Sequence, residues 1–319
     1  MDLSEEELLE AIRTAHEDRA PEVRIGIGDD AAVLAPLTAE IVLTTDVLVE
    51  GVHFDPRLTS ASDLGYKAMV VNLSDIAAMA ASPRAAVCAL TISDGIDASW
   101  VMEVFGGLRE ACHEYALSLV GGDLSRGPCV SIAVTVIGEV DPGGAVPRSG
   151  ARAGDAIVVT GTLGAAATAL RLERSGRVLG ERERGLLRAH FRPIARVNEA
   201  KALAGFGATG MIDVSDGLTL DLSRLCKSSG VGARLRISDV PVAAGATIDD
   251  ALGGGEDYEI LATMPRGAVD RASRELRKAF GVALTMIGEV VTKAGLRAVQ
   301  EDGSEQQLEP RGWDHFERR

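Results

Sequence analysis

Apolar positions along this 319-residue chain recur with two periods, near 3.6 and near 2, and their alternation predicts a mixed α/β protein. Ser4 followed by Glu7 reads as a capping box opening a helix with Leu8, Leu9 and Ile12 turned inward. The β-branched run IVLTTDVLV at 41–49 predicts a strand, and Ser62 is placed to cap a long helix reaching Met79. A strand at 86–92, a helix from Asp97 toward Ala116, and strands at 117–123 and 130–140 follow. In the second half the pattern predicts a strand at 155–161, helices near 164–174 and 181–190, and another helix after Pro193. A strand-loop-helix unit over 210–230 comes next, then strands at 232–237 and 282–290 on either side of a helix near 266–280.

The segment DPGGAVPRSGARAGD at 141–155 is dense in proline and glycine and reads as a linker, with a boundary near residue 145. Two domains, 1–145 and 146–319, suit a chain of this length. One echo crosses the boundary: TVIGEV at 135–140 and TMIGEV at 285–290 share five of six residues. A repeated piece of fold and a merely favourable strand end explain it equally well.

Composition narrows the class. With 46% hydrophobic and 25% charged residues, disordered and collagen-like classes drop out. No apolar run reaches the roughly 18 residues of a membrane span, and the first residues are acidic, so a cytoplasmic location is expected. Four cysteines without a CxxC pair argue against a zinc site or a disulfide framework and for buried thiols. A net charge of -14 removes the footprint for nucleic acid or an anionic membrane. An anionic ligand must therefore be held by something other than net charge.

The candidate chemistry is carboxylate in small-residue turns: GIGDD (26–30), TTD (44–46), NLSD (72–75), GGD (121–123), DVSDG (213–217) and GGED (254–257). A single aspartate in a turn or cap has local reasons to be there. Six such turns, several directly after apolar runs, predict gathered carboxylates, which repel by about 4 kcal/mol per pair at ~4 Å unless cations lie between them. Carboxylate and hydroxyl oxygens without His or Cys suit several Mg²⁺ ions, with Thr44, Thr45 and Asp46 offering side-chain and carbonyl oxygens. Magnesium held by few carboxylates completes its shell with phosphates, so an acidic cleft can take ATP. No GxxxxGK[ST], HRD or DFG occurs, which leaves metals, the amides of Gly121 and Gly122, and a few arginines to handle phosphate. Arg148, His53 and Trp313 each have an ordinary reading as solvated linker, surface imidazole and tail anchor, beside a ligand-contacting one.

Taken in order, GIGDDAAVL, LTTDVLVEGVHF, YKAMVVNLSDIAAMAASP, GGDLSRGP, RSGARAGD, VTGTLG, DVSDGLTLDL, GGGEDYEI and GWDHF resemble the thiamine-monophosphate kinase family, within the aminoimidazole ribonucleotide synthetase-like superfamily. The resemblance spans Gly26 to Phe316 and implies a two-domain α/β (α+β) fold of mixed sheets flanked by helices. It also implies a homodimer whose N-terminal sheets meet. The N-terminal domain would bind ATP and magnesium and the C-terminal domain would complete the active site. Carried over by motif, Asp30, Thr44, Thr45, Asp46, Asp75, Asp123, Asp213 and Asp216 would be magnesium ligands, with Asp30, Asp75 and Asp213 at the reacting phosphates. Gly122, Asp123, Arg148 and Ser215 would line the ATP site, and His53, Glu256 and Trp313 would contact thiamine monophosphate. Relatives often carry Tyr where this chain has Phe105, so a hydroxyl contact there is lost.

The activity so implied is transfer of the γ-phosphoryl of ATP onto thiamine monophosphate, giving thiamine diphosphate. Another ATP-dependent superfamily member, like selenophosphate or aminoimidazole ribonucleotide synthetase, and a non-catalytic Mg-ATP-binding protein are the alternatives.

Overall fold

The computed structural model describes residues 5–16, 21–27, 31–36, 39–175, 180–300 and 302–313. The chain divides into two compact units, Met1–Ile76 with Ala81–Gly143, and Ala77–Ala80 with Gly144–Arg319.

The first unit runs α1 (Glu5–Ala15), β1 (Val23–Ile25), β2 (Val33–Leu34), β3 (Glu40–Val49), α2 (Ala61–Ala78), β4 (Ser82–Ile92), α3 (Ala98–Glu114), β5 (Ser118–Arg126) and β6 (Ser131–Val140). Four strands form a mixed sheet in the order β3-β6-β4-β5, with β4 and β5 parallel, while β1 and β2 pair separately. Strict alternation along β6 gives the sheet two unlike faces: Ile132, Val134 and Val136 are fully buried, while Ala133, Thr135 and Ile137 are half-exposed. In register with the exposed set lie Leu43, Thr45 and Val47 of β3 and Ala85, Val87 and Ala89 of β4. Ile41 and Leu43 on that face are each 65% exposed, an apolar surface that the described residues leave largely uncovered.

Helices α2 and α3 meet backbone to backbone. A methyl group at Gly65 would overlap the Val104 carbonyl, and one at Gly107 would overlap the Ser62 carbonyl. The cap of α2 is Ser60, not Ser62: the Asp63 N–H donates to Ser60 Oγ at 3.1 Å and Ser60 Oγ donates to Asp63 Oδ2 at 2.8 Å. Ser62 falls inside the first turn instead, where its carbonyl faces Gly107. Asp97 caps α3 as expected, accepting from the Trp100 N–H at 2.8 Å. On α1, Leu8 and Ile12 are buried but Leu9 is 41% exposed, because a stripe spaced by four residues leaves its neighbour on the helix flank. Ser4 lies outside the described residues.

The second unit runs β7 (Ala156–Thr160), α4 (Ala165–Arg174), α5 (Glu181–Phe191), α6 (Val197–Gly205), β8 (Gly210–Asp213), α7 (Leu218–Ser229), β9 (Gly232–Arg236), α8 (Ile248–Gly253), β10 (Ile260–Met264), α9 (Val269–Phe280), β11 (Leu284–Val291), β12 (Gly295–Val299) and β13 (Glu305–Leu308). Its seven-stranded sheet has the order β13-β12-β9-β11-β7-β10-β8, parallel only between β9 and β12. Every residue of β7, β8 and β10 is buried, so these strands read as continuous apolar runs, as strands covered on both faces do. One core joins Leu218, Leu222 and Leu225 of α7 to Ile157 and Val159 of β7 and Leu261 of β10.

The two copies of the hexapeptide make the same kind of contact. Glu139 of β6 pairs with Arg84 on β4, and Glu289 of β11 pairs with Arg234 on β9 at 2.9 Å. Each copy is a strand end whose glutamate meets an arginine on the neighbouring strand. Among the described residues no helix is long and apolar enough to cross a membrane. Cys88, Cys112 and Cys226 are buried free thiols and Cys129 is half-buried.

Candidate functional site

In the first unit the TTD segment lies within β3 at the sheet edge. Thr44 Oγ1 donates to Asp75 Oδ2 of α2 at 2.5 Å, and Asp46, two residues along, shares the Thr44 face. Thr45 points the other way: its hydroxyl donates to the Val134 carbonyl at 3.2 Å and accepts from Thr135 Oγ1 at 2.9 Å. Of Thr45, only the main-chain carbonyl can join Thr44 and Asp46. His53 closes the turn after β3, where its Nδ1 accepts the Val49 N–H at 3.0 Å and thereby leaves the ring proton on Nε2.

Gly122 and Asp123 sit in β5, in register with Cys88 and Ala89. A methyl at Gly122 would overlap the Cys88 carbonyl, so only glycine fits. Asp123 is exposed on the open face, in line with Ala89, Ala133 and Val47. β3 and β5 are opposite edges of the sheet, about 14 Å apart at ~4.8 Å per strand. Asp46 and Asp123 are thus separated within one chain, on opposite edges and opposite faces. Asp30 lies outside the described residues.

In the second unit the turn from β8 into α7 carries Asp213, Ser215 and Asp216. Asp213 ends β8 and is 2% exposed, and Ser215 Oγ donates toward its Oδ1 at 3.4 Å. A second loop runs alongside: Val214 N–H donates to the Glu259 carbonyl at 2.8 Å, Tyr258 N–H to the Val214 carbonyl at 2.9 Å, and Glu256 N–H to the Ser215 carbonyl at 2.7 Å. To make this pairing, Glu256 and Tyr258 adopt φ of +66° and +52°, which costs side-chain-bearing residues energy.

Asp221, fully buried one turn into α7, holds the aspartate turn from below. Its Oδ2 accepts the N–H groups of Asp216 and Gly217, each at 3.0 Å, and its Oδ1 meets Arg224 at 2.7 Å. Burial pushes the Asp221 carboxyl up to about 6, against the lowering effect of those N–H donors and of Arg224. Arg224 also pairs with the Asp216 carboxylate. The C-terminal segment reaches the same place, where the Trp313 N–H donates to the Asp216 carbonyl at 2.9 Å.

The three acids of the GGEDYE segment have separate partners. Glu256 Oε2 lies 2.9 Å from Nδ1 of the buried His190. Asp257 accepts the Gly164 N–H at the start of α4, and burial pushes its carboxyl up to about 8, assisted by the charge of Glu259 and opposed by the amides of Gly164, Ala166 and Ala165. Glu259 is gripped by Arg196 at 2.6 and 2.8 Å and by Thr160 at 2.6 Å.

Arg148 has an exposed side chain, and its carbonyl accepts from Ser229 Oγ at 2.7 Å. Ser229 ends α7, whose 12 residues span about 18 Å, so the Arg148 backbone and Ser215 sit at opposite ends of that helix. Among the described residues no three His, Cys, Asp or Glu side chains converge on a metal-sized space. Crowding expected from the sequence is relieved inside the chain: Asp75 meets Thr44, Asp213 meets Ser215, and Asp216 meets Arg224. The carboxylates and hydroxyls among these groups are hard oxygens, the set that magnesium takes together with phosphate. Sequence reasoning missed Asp221, Arg224 and His190. The first two carried a signal, an acid and an arginine at helical spacing after the SDG turn, whereas the His190 pairing is visible only once α5 is folded.

Residues 28–140 match the AIR synthase related protein N-terminal domain and residues 152–300 match the AIR synthase related protein C-terminal domain, so the chain is a member of that class. The thiamine-monophosphate kinase of Salmonella typhimurium LT2 is 39% identical over 92% of this chain and 93% of its own length. The crystal structure of thiamine-monophosphate kinase from Stenotrophomonas maltophilia K279a superposes with a TM-score of 0.84 at 36% identity, covering 96% of this chain and 99% of the other. AaThiL complexed with AMPPCP and TMP superposes at 0.79 with 32% identity, covering 99% of both chains. The chain belongs to the thiamine-monophosphate kinase family and is an enzyme of the phosphotransferase type.

Proposed function

We propose that this chain transfers the γ-phosphoryl group of ATP to the phosphate of thiamine monophosphate, giving thiamine diphosphate and ADP. The observation that carries this reading is its likeness along 99% of both chains to a structure holding AMPPCP and TMP. The acceptor phosphate, with a second pKa of about 6, is already anionic near neutral pH. No side chain has to remove a proton from it, which agrees with His53 being tied to the Val49 N–H rather than poised as a base.

The work left to the residues is to hold two polyanions in line. Gly122, Asp123, Arg148 and Ser215 are assigned to the nucleotide, and His53, Glu256 and Trp313 to the acceptor. Asp30, Thr44, Thr45, Asp46, Asp75, Asp123, Asp213 and Asp216 are the oxygens assigned to magnesium, with Asp30, Asp75 and Asp213 nearest the transferred group. When bound, magnesium neutralises the charge between the phosphates. Asp221 and Arg224 keep the Asp213–Asp216 turn in shape for that task.

The open face of the first unit's sheet is assigned to a second copy of this chain. Ile41, Leu43, Val47 and Val87 supply an apolar centre, and Asp123 lies at its rim. The reading is tested by ADP release with ATP and either thiamine monophosphate or free thiamine. Turnover is expected with the monophosphate alone, and comparable turnover of free thiamine would sink the proposed transfer.

A further inference from the structure

The C-terminal segment is fixed to the second unit by one buried hydroxyl. Thr219, in the first turn of α7, is fully buried, and its Oγ1 lies within hydrogen-bond reach of three main-chain groups from two other segments. It accepts the Arg311 N–H at 2.9 Å, and its single proton is shared between the Arg311 carbonyl at 3.0 Å and the Leu252 carbonyl at 3.1 Å. Leu252 lies in α8, just before the glycines that lead into Glu256, and Arg311 stands two residues before Trp313. One hydroxyl therefore ties together the aspartate turn, the Glu256 loop and the Trp313 segment.

Other links of this segment are of two kinds. Gly312 packs so closely on the Asp216 carbonyl and Leu220 that a methyl group there would lie under 3 Å from both. The Arg311–Asp249 pair, at 3.1 Å, joins two exposed side chains and contributes little. Close packing sets how near the segment lies to α7. Direction along α7 is set by hydrogen bonds, from Trp313 N–H to the Asp216 carbonyl and from Arg311 to Thr219.

We propose that Thr219 is a positioning residue for acceptor recognition: its hydroxyl sets where Trp313 stands beside Asp216 and Glu256. The inference rests on the assignment of Trp313 to thiamine monophosphate made above. A valine at 219 keeps the shape of threonine but leaves the Arg311 N–H without its acceptor, and a serine keeps the hydroxyl. Losing such bonds converts to roughly a 5- to 10-fold change in an affinity.

The experiment compares Thr219→Val, Thr219→Ser, Trp313→Ala and the Thr219→Val/Trp313→Ala double variant, measuring KM for both substrates and the melting temperature. Thr219→Val is expected to raise KM for thiamine monophosphate ~5- to 10-fold with KM for ATP within about twofold, and Thr219→Ser to restore it. In the Trp313→Ala background Thr219→Val is expected to add nothing further. If Trp313→Ala raises the acceptor KM while Thr219→Val does not, or if Thr219→Val lowers stability and both affinities in parallel, the positioning role is overturned and the Trp313 assignment survives. If Trp313→Ala leaves the acceptor KM unchanged, that assignment falls and takes the Thr219 proposal with it.

Discussion

Thr44 and Asp75 are joined hydroxyl to carboxylate at 2.5 Å, which fastens the edge strand β3 to helix α2. The bond fixes the orientation of a carboxylate that stands among the residues assigned to the reacting phosphates. Asp75→Asn is expected to lower turnover by at least ~100-fold, the scale of losing one well-placed electrostatic contact, without a fall in melting temperature. Thr44→Val should act more mildly, raising the magnesium requirement ~10- to 100-fold as loss of a ligand's orienting partner does. Thermal shift against magnesium concentration, with nucleotide present, reads the second effect independently of turnover. Wild-type magnesium dependence in Thr44→Val would reduce the bond to a packing contact.

Arg148→Ala is expected to raise KM for ATP ~10-fold and leave KM for thiamine monophosphate within about twofold, because an exposed guanidinium carries charge and fork geometry but no packing. Its stability should be unchanged. An unaltered KM for ATP returns Arg148 to the role of a solvated arginine near the start of the second unit.

The Asp257 carboxyl, pushed up to about 8 from an ordinary 3.8, makes stability depend on pH in a definite direction. Between about pH 4 and pH 8 the unfolded chain releases this proton and the folded chain keeps it, so ionisation favours unfolding and stability falls as pH rises. Asp221, pushed up to about 6, acts in the same direction over the lower part of that window. Asp257→Asn, which still offers an oxygen to the Gly164 N–H, should melt progressively higher relative to wild type from pH 5 to pH 8. A pH-independent difference between the two proteins would show that the proton is not held.

Leu43, 65% exposed on the edge strand β3 of the open sheet face, offers a direct check on self-association. Leu43→Asp should bring the mass in sedimentation from a dimer down to the 33.3 kDa single chain, with the melting temperature of each unit little altered. A wild-type protein that already sediments as a single chain at micromolar concentration refutes the dimer assignment.

Features set by residues three or four apart were legible in the sequence. Asp97 capping α3 through Trp100 is of that kind, and the buried runs of β7 and β8 were legible from consecutive residues. Ser60 was missed because two serines stand two positions apart at the start of the helix and only the fold shows which hydroxyl meets the Asp63 N–H. β10 escaped because its five residues follow directly on the acids of the GGEDYE segment, and β12 and β13 because they are short and become strands only by pairing, β12 with β9 and β13 with β12. At the site, each motif could be read as a string of oxygens, but the side taken by each was hidden. Thr44 and Thr45 are adjacent in sequence and reach opposite faces, and the Asp216–Arg224 and Glu256–His190 pairings depend on helices whose packing no local pattern encodes.

The crossing of α2 and α3 at Gly65 and Gly107 closes two positions to evolutionary drift. A library covering every substitution should return glycine alone at both, flanked by sites that accept many residues, because even the smallest β-carbon would strike a carbonyl of the opposite helix. Asp75 stands about 15 Å further along the same α2. Its location is thus inherited from two places where the sequence carries no side chain at all, and variants selected for new acceptors would be expected to alter the loops while leaving that pair of glycines untouched.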